Sequence, residues 1–145
     1  MPTQFCTFYV GDLLFGIDVK MVQEVMRYQE MTRVPLSSPM IRGLINLRGQ
    51  LVTAVDMRRR LGLPPLSTDR LPMNVIIRRE EDAVSVLVDE IGDVIDVGAE
   101  AFERPPETLM GAARELIRSV CKLEGALLLV LDAQQITAFD AVNAA

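Results

Sequence analysis

The sequence predicts a mainly β fold of two small antiparallel barrels. Three observations predict it: short apolar runs cut by turn residues, a Pro-rich linker between two strand-rich segments, and an internal repeat of the strand pattern. Gln4–Val10 and Leu13–Ile17 read as strands joined at Gly11-Asp12, a pair suited to a primed hairpin turn. Asp18 is placed to cap a short helix in which Val19, Val22 and Met26 recur at helical spacing. Val34-Pro35 and Ser37-Ser38-Pro39 read as loop, and two further strands, Gly43–Leu47 and Leu51–Val55, meet at Arg48-Gly49. Asp56 then caps a helical turn ending at Leu61-Gly62.

Pro64-Pro65-Leu66-Ser67-Thr68-Asp69 is the linker, which divides the chain into a first barrel over 1–66 and a second over 67–145. The second part repeats the first. A shift of 69 lays Gln4–Val25 on Met73–Val94, matching Cys6 to Val75, Phe8 to Ile77 and Val22 to Ile91. A shift of 76 lays Ile41–Asp56 on Ile117–Asp132, with identities at Ile41/Ile117, Arg42/Arg118, Leu47/Leu123, Gly49/Gly125, Leu51/Leu127 and Asp56/Asp132. Each half alone buries too little to be comfortable, so the two are expected to share a hydrophobic seam. Terminal strands can cross over in such duplications, and Gln134–Phe139 reads as a helix closing the first half, with the segment 133–145 packing on the first barrel.

With 145 residues the chain can bury roughly 68–70% of its extended surface. It is 50% hydrophobic with a mean hydropathy of +0.25, yet no apolar run approaches the ~18–20 residues of a membrane span. No basic-then-apolar leader follows Met1, so a cytoplasmic location is expected. A net charge of -5 and a pI near 4.8 argue against nucleic acid, which needs a concentrated basic surface. The charge is uneven, with eight basic and five acidic residues in 1–66 against 7 and 15 beyond, which suggests two faces with different partners. The absence of histidine excludes a Ser-His-Asp triad, a Cys-His pair, His-ligated zinc and phosphohistidine chemistry.

The repeat separates residues of the fold from residues free to do something else. Cys6 pairs with Val75 and Cys121 with Ile45, which makes both cysteines small core hydrophobes. Gly49 and Gly125 share a hairpin tip that needs positive φ, and Asp56 and Asp132 share a capping position. Arg48 faces Glu124 in the copy, and Glu24 faces Asp93, so neither charge is required by the turn or the element it sits on. Opposite charges on neighbouring loops can pair with each other or align for a partner, with arginine supplying a fork of donors; a solvated surface pair is the bland alternative. The carboxylates Asp89-Glu90 with Asp93 or Asp96 read as a solvated helix and turn, and Gly43 and Gly49 frame no phosphate loop. No catalytic residue, cofactor or metal is expected.

Phe15-Gly16-Ile17-Asp18-Val19, Val22-Gln23-Glu24-Val25, Thr32-Arg33-Val34-Pro35, Ile41-Arg42-Gly43-Leu44-Ile45-Asn46-Leu47-Arg48-Gly49 and Val55-Asp56-Met57-Arg58 occur in the order and at the spacing of the CheW-like family of chemotaxis coupling proteins, which the chain resembles. Val86–Val94 continues the resemblance into the second half, whereas Glu107–Lys122 fits loosely and reads as loop. The resemblance implies two Src-homology-3-like five-stranded β-barrels with a shared apolar seam and short helices. It implies a non-enzymatic scaffold joining a CheA-type histidine kinase to the cytoplasmic tips of methyl-accepting chemoreceptors, in arrays at the inner face of the membrane. Its receptor-facing positions here are Val22, Glu24 and Val25, on a V-Q-E helix, with Gly43 and Arg48; the kinase docks mainly on the second subdomain, at residues that stay unassigned. The absence of histidine and of a kinase ATP motif, with Met1 just before the first strand, favours the free-standing form. Two alternatives remain at this level: an adaptor of a parallel motility or surface-sensing pathway with a paralogous kinase, and a small ligand-binding or hydrolytic barrel using Asp89, Glu90 and Asp93.

Overall fold

The computed structural model describes residues 3–35, 39–67, 69–79, 81–107 and 111–137. It opens with the expected hairpin: β1 (Thr3–Val10) and β2 (Leu13–Asp18) pair antiparallel, with Phe8 opposite Phe15 and their rings stacked at 5.9 Å. Gly11 takes φ 61° at the turn. Asp18 does act as a cap, accepting from the Lys20 N–H at 2.9 Å, but the helix is a single 3-10 turn, Val19–Met21. The expected V-Q-E helix is instead a strand, β3 (Val22–Met26), in which Val22, Glu24 and Met26 alternate with exposed Gln23 and Val25. Helical spacing loses here because β3 gains a full ladder with β6 (Met73–Arg78), and a long-range ladder outweighs a weak local pattern.

β4 (Ile41–Leu47) and β5 (Gln50–Asp56) form the second hairpin, and Asp56 accepts from the Arg59 N–H at the start of α1 (Met57–Arg60). β7 (Ala83–Val88) is buried along its whole length, lying between β6 and a parallel β5. β8 (Glu90–Val97) and the two-residue β9 (Phe102–Glu103) come next. Glu107–Lys122 is not the loop expected: its described part contains α2 (Ala112–Leu116) and most of β10 (Ile117–Leu123). β11 (Ala126–Leu131) pairs with β10 in a further hairpin, and residues 133–137 are helical, with Asp132 accepting from the Gln134 and Gln135 N–H groups.

The strands form two sheets, ordered β8-β1-β2-β11-β10-β9 and β3-β6-β7-β5-β4. The repeat holds strand for strand apart from the two-residue β9, whose counterpart is the isolated Thr32–Leu44 bridge. β10 covers 117–123, the image of β4 at a shift of 76, and the bulge between Ile41 and Gly43 recurs between Ile117 and Ser119. The sheets do not follow the boundary expected at 66/67, because each takes its opening hairpin from the other half: β1–β2 join β8–β11, and β6–β7 join β3–β5. The physical reason is the length of the crossings. The chain passes between sheets at the 3-10 turn and again at Asp89, one residue between β7 and β8, and a single residue cannot reverse a chain, since the tightest hairpin needs two. β7 therefore runs on into the other sheet as β8.

The expected shared seam is present. Phe8, Phe15 and Ile17 of one sheet pack with Val75, Ile77 and Val86 of the other, and with Met57 of α1. Ala133 and Ile136 also join this cluster, and the Gln135 and Thr137 carbonyls accept from Arg60 and Arg79, both attached to the β3–β7 sheet; the rest of the expected terminal segment, 138–145, lies outside the described residues. Smaller cores fill each barrel separately: Phe5, Cys121 and Leu128 in one, Ile45, Val52 and Ile76 in the other. Among the described residues no helix is long and apolar enough to cross a membrane.

Candidate partner-binding site

Arg48 and Gly49 form the two-residue turn between β4 and β5 with φ of 52° and 90°, both positive as a type I′ turn demands. Arg48 is the only non-glycine described residue with positive φ, a conformation that carries a steric cost for a side chain with a Cβ. Its counterpart Glu124 escapes that cost, although Gly125 matches Gly49 with φ 79°. The Asn46 side-chain oxygen accepts from the Gly49 N–H at 2.8 Å and holds the turn in place.

This turn projects Arg48 across to Glu24. The two lie at opposite edges of their sheet, β3 and the β4 side, brought together as the sheet curls into a barrel. Arg48 Nη2 donates to Glu24 Oε2, and Nη1 reaches Oε1 at 3.4 Å. Glu24 is aimed by a bulge: Val22 pairs with Ile77 and Glu24 with Ile76, so Gln23 is an extra residue in β3. The Arg48 hydrogen bonds are the largest influence on Glu24 and hold its carboxylate below its ordinary range. The Arg48 side chain remains 65% exposed, so the pair contributes little to folding and keeps its remaining donors open to solvent.

The other expected positions play different parts. Val25 is 44% exposed beside Glu24, as an apolar contact surface requires. Val22 is partly buried and packs against the shared seam. Gly43 is explained by packing: a Cβ there would lie 2.6 Å from the Thr32 carbonyl oxygen. Thr32 and Leu44 exchange two backbone hydrogen bonds of 2.8 Å at that point, which presses the segment after β3 onto β4. Gly43 thus shapes the site from beneath.

Leu51, next to the turn, is 66% exposed, and no local pattern marks it as a surface residue. The repeat carries the signal. The images keep the same character, with Val94 (image of Val25) and Leu127 (image of Leu51) at 56% and 42% exposed. An apolar residue held exposed in both copies points to contact rather than core.

Of the carboxylates expected on a solvated helix and turn, Glu90, Asp93 and Asp96 are exposed but lie on the strand β8. Asp89, between β7 and β8, is instead buried and takes both prongs of Arg58, with Nε to Oδ1 at 2.8 Å and Nη2 to Oδ2 at 2.7 Å. Asp89 and Glu90 border a cavity of about 300 Å³ together with Arg58 and Arg70, but Asp93 does not line it. With both Asp89 oxygens engaged, general-base chemistry has no free carboxylate at that position. Among the described residues no group of three Cys, Asp or Glu is arranged to hold a metal ion. Cys121 is buried and Cys6 half-buried, both unbridged, and burial raises both thiols above their ordinary value.

A family model described as the CheW-like domain matches residues 4–140. The chain belongs to that family. As a CheW-like domain it is 34% identical over 129 residues to the chemotaxis protein CheW of Bacillus subtilis (strain 168), covering 89% of this chain and 83% of that protein. It is 29% identical over 133 residues to the chemotaxis protein CheW of Treponema pallidum (strain Nichols), covering 89% and 78%. The crystal structure of the scaffolding protein TtCheW from Thermoanaerobacter tengcongensis shares the fold, with a TM-score of 0.81 at 22% identity over 91% of this chain and 90% of that one. The CheW-like fold is mainly β with two Src-homology-3-like barrels, as expected; here its sheets have five strands and six, the sixth being the two-residue β9.

Proposed function

We propose that this protein is a non-enzymatic adaptor of bacterial chemotaxis, coupling the cytoplasmic tips of chemoreceptors to a CheA-type histidine kinase in arrays at the inner face of the membrane. The observation that carries the reading is the Glu24–Arg48 pair: an exposed, two-pronged ion pair on a strained turn, present in one half of a duplicated fold and replaced by two acids in the other. Strain persists where the surroundings enforce it and function uses it. Membership of the CheW-like family and relatives named chemotaxis protein CheW support the same reading.

The receptor's helical hairpin docks on Val22, Glu24, Val25, Gly43 and Arg48. Val25 and Leu51 supply apolar contact, the ion pair fixes register, and Val22 and Gly43 hold β3 and β4 in place. The kinase docks on the surface of the other barrel. Arg48→Glu places a second acid beside Glu24 in place of the guanidinium; it should abolish receptor binding in co-sedimentation while the circular dichroism spectrum and melting temperature stay within error of the parent. Unchanged assembly of receptor, kinase and this protein would refute the reading. A paralogous kinase of a parallel motility or surface-sensing pathway would give the same geometry, and identification of the kinase co-purifying from the native cytosol separates the two.

A further inference from the structure

The two barrels are joined by a non-directional contact and by directional ones. The seam around Phe8, Phe15 and Val86 holds them together, but hydrophobic burial scales with area and does not select one angle. Arg60 and Arg79 reach the Gln135 and Thr137 carbonyls beyond β11 at 3.3 Å each, and the directional contact built into a crossing itself is at Asp89. This residue is the whole of the crossing between β7 and β8, and its carboxylate is held from both sides. From the β3–β7 side, Arg58 of α1 donates through Nε and Nη2 at 2.8 and 2.7 Å while its Nη1 donates to the Pro64 carbonyl at 2.6 Å. From the other sheet, the Gly11 N–H at the β1–β2 hairpin tip donates to Oδ2 at 2.6 Å, and the Asp89 N–H donates to the Tyr9 carbonyl at 2.9 Å. A bidentate guanidinium–carboxylate pair fixes orientation as well as distance, and here both partners are shielded from solvent, with side chains 16% and 5% exposed.

Both crossings lead straight into an edge strand. The 3-10 turn opens into β3, which carries Glu24 and exposed Val25, and Asp89 opens into β8, which carries exposed Val94. A rotation of one barrel on the other would therefore move β3 relative to β8. We infer that Arg58, Asp89 and the Gly11 amide form a clamp that sets the angle between the barrels, and that Arg58 and Asp89 are positioning residues for any partner that spans β3 and β8. Only that last consequence rests on the adaptor reading; the clamp itself does not.

The test is nuclear magnetic resonance on the full 16.1 kDa chain. Amide residual dipolar couplings of each barrel are fitted to an alignment tensor. In the parent one tensor fits both barrels. In Asp89→Asn and Arg58→Met the magnitudes of the two tensors separate beyond fitting error, and Arg58→Lys, which keeps the charge and loses the fork, lies between. Arg42→Met is the control, because it breaks a pair with Asp56 at 3.1 Å that lies wholly within one barrel, and a single tensor should persist. A single tensor in folded Asp89→Asn or Arg58→Met would overturn the clamp; if either fails to fold, the Arg58→Lys result decides it the same way. In a receptor-binding assay, Arg58→Lys should bind several-fold more weakly with Glu24 and Arg48 intact. Separate tensors with unchanged binding would keep the clamp and refute its link to the proposed function.

Discussion

Arg58 and Asp89 differ from Glu24 and Arg48 in what water does to them. The Arg48 pair stands largely in solvent, where screening leaves an ion pair little stabilising effect, so a strained turn that holds it in place points to a partner. The Asp89 carboxylate is buried, and an unpaired charge there would be costly. Burial alone would raise its pKa; the Arg58 hydrogen bonds, the Gly11 amide and the charges of Arg58 and Arg70 more than offset that and lower it below its ordinary 3.8. A depressed folded-state pKa means that Asp89 stabilises the fold fully above pH 3.8 and that this contribution disappears as pH falls from there through the folded value. The stability gap between the parent and Asp89→Asn, measured by urea denaturation, should therefore be constant from pH 7 to about 5 and shrink below about 4. A gap that grows on acidification would contradict the pairing. At this scale the sequence marks Glu24 and Arg48 through their unlike copies, but it makes Asp89 look solvated, because the guanidinium that neutralises it lies 31 residues away in the chain.

Hairpins are the elements most legible in the sequence, since Gly11 and Gly49 mark their own turns through the positive φ that glycine takes without strain. The stretch after Asp18 is not legible in the same way. The cap acts locally and can be read locally, whereas the choice of strand over helix at Val22–Met26 depends on β6, which no local pattern announces. Gly43 belongs to this scale, because its role is to let the Thr32 segment lie against β4. Gly43→Ala should destabilise the fold by about 1–3 kcal/mol in urea denaturation, the cost of a forced backbone shift. It should also weaken receptor binding without touching Glu24 or Arg48. Retention of both parental stability and binding would mean that the segment yields freely.

In the whole molecule the repeat, the seam and the interleaved strands are one device. The sequence displays the duplication but is silent on which copy of a hairpin completes which barrel, because both copies satisfy the same pattern. If the hairpins are exchanged, neither half can fold alone: the fragments 1–66 and 67–145 should each lack cooperative unfolding, and an equimolar mixture should regain the strand signal of the intact chain by circular dichroism. An independently folded 1–66 fragment would contradict the interleaving. The sequence by itself determined the mainly β class, most of the hairpins, the caps and the broken symmetry at Glu24 and Arg48, all of which are written in turn chemistry, short apolar runs or comparison of one half with the other. Only the tertiary structure decided the exchange of hairpins, the strand at Val22–Met26, the packing role of Gly43 and the clamp at Asp89. Each of these depends on contacts between distant segments, whose free energy appears only once the chain is folded.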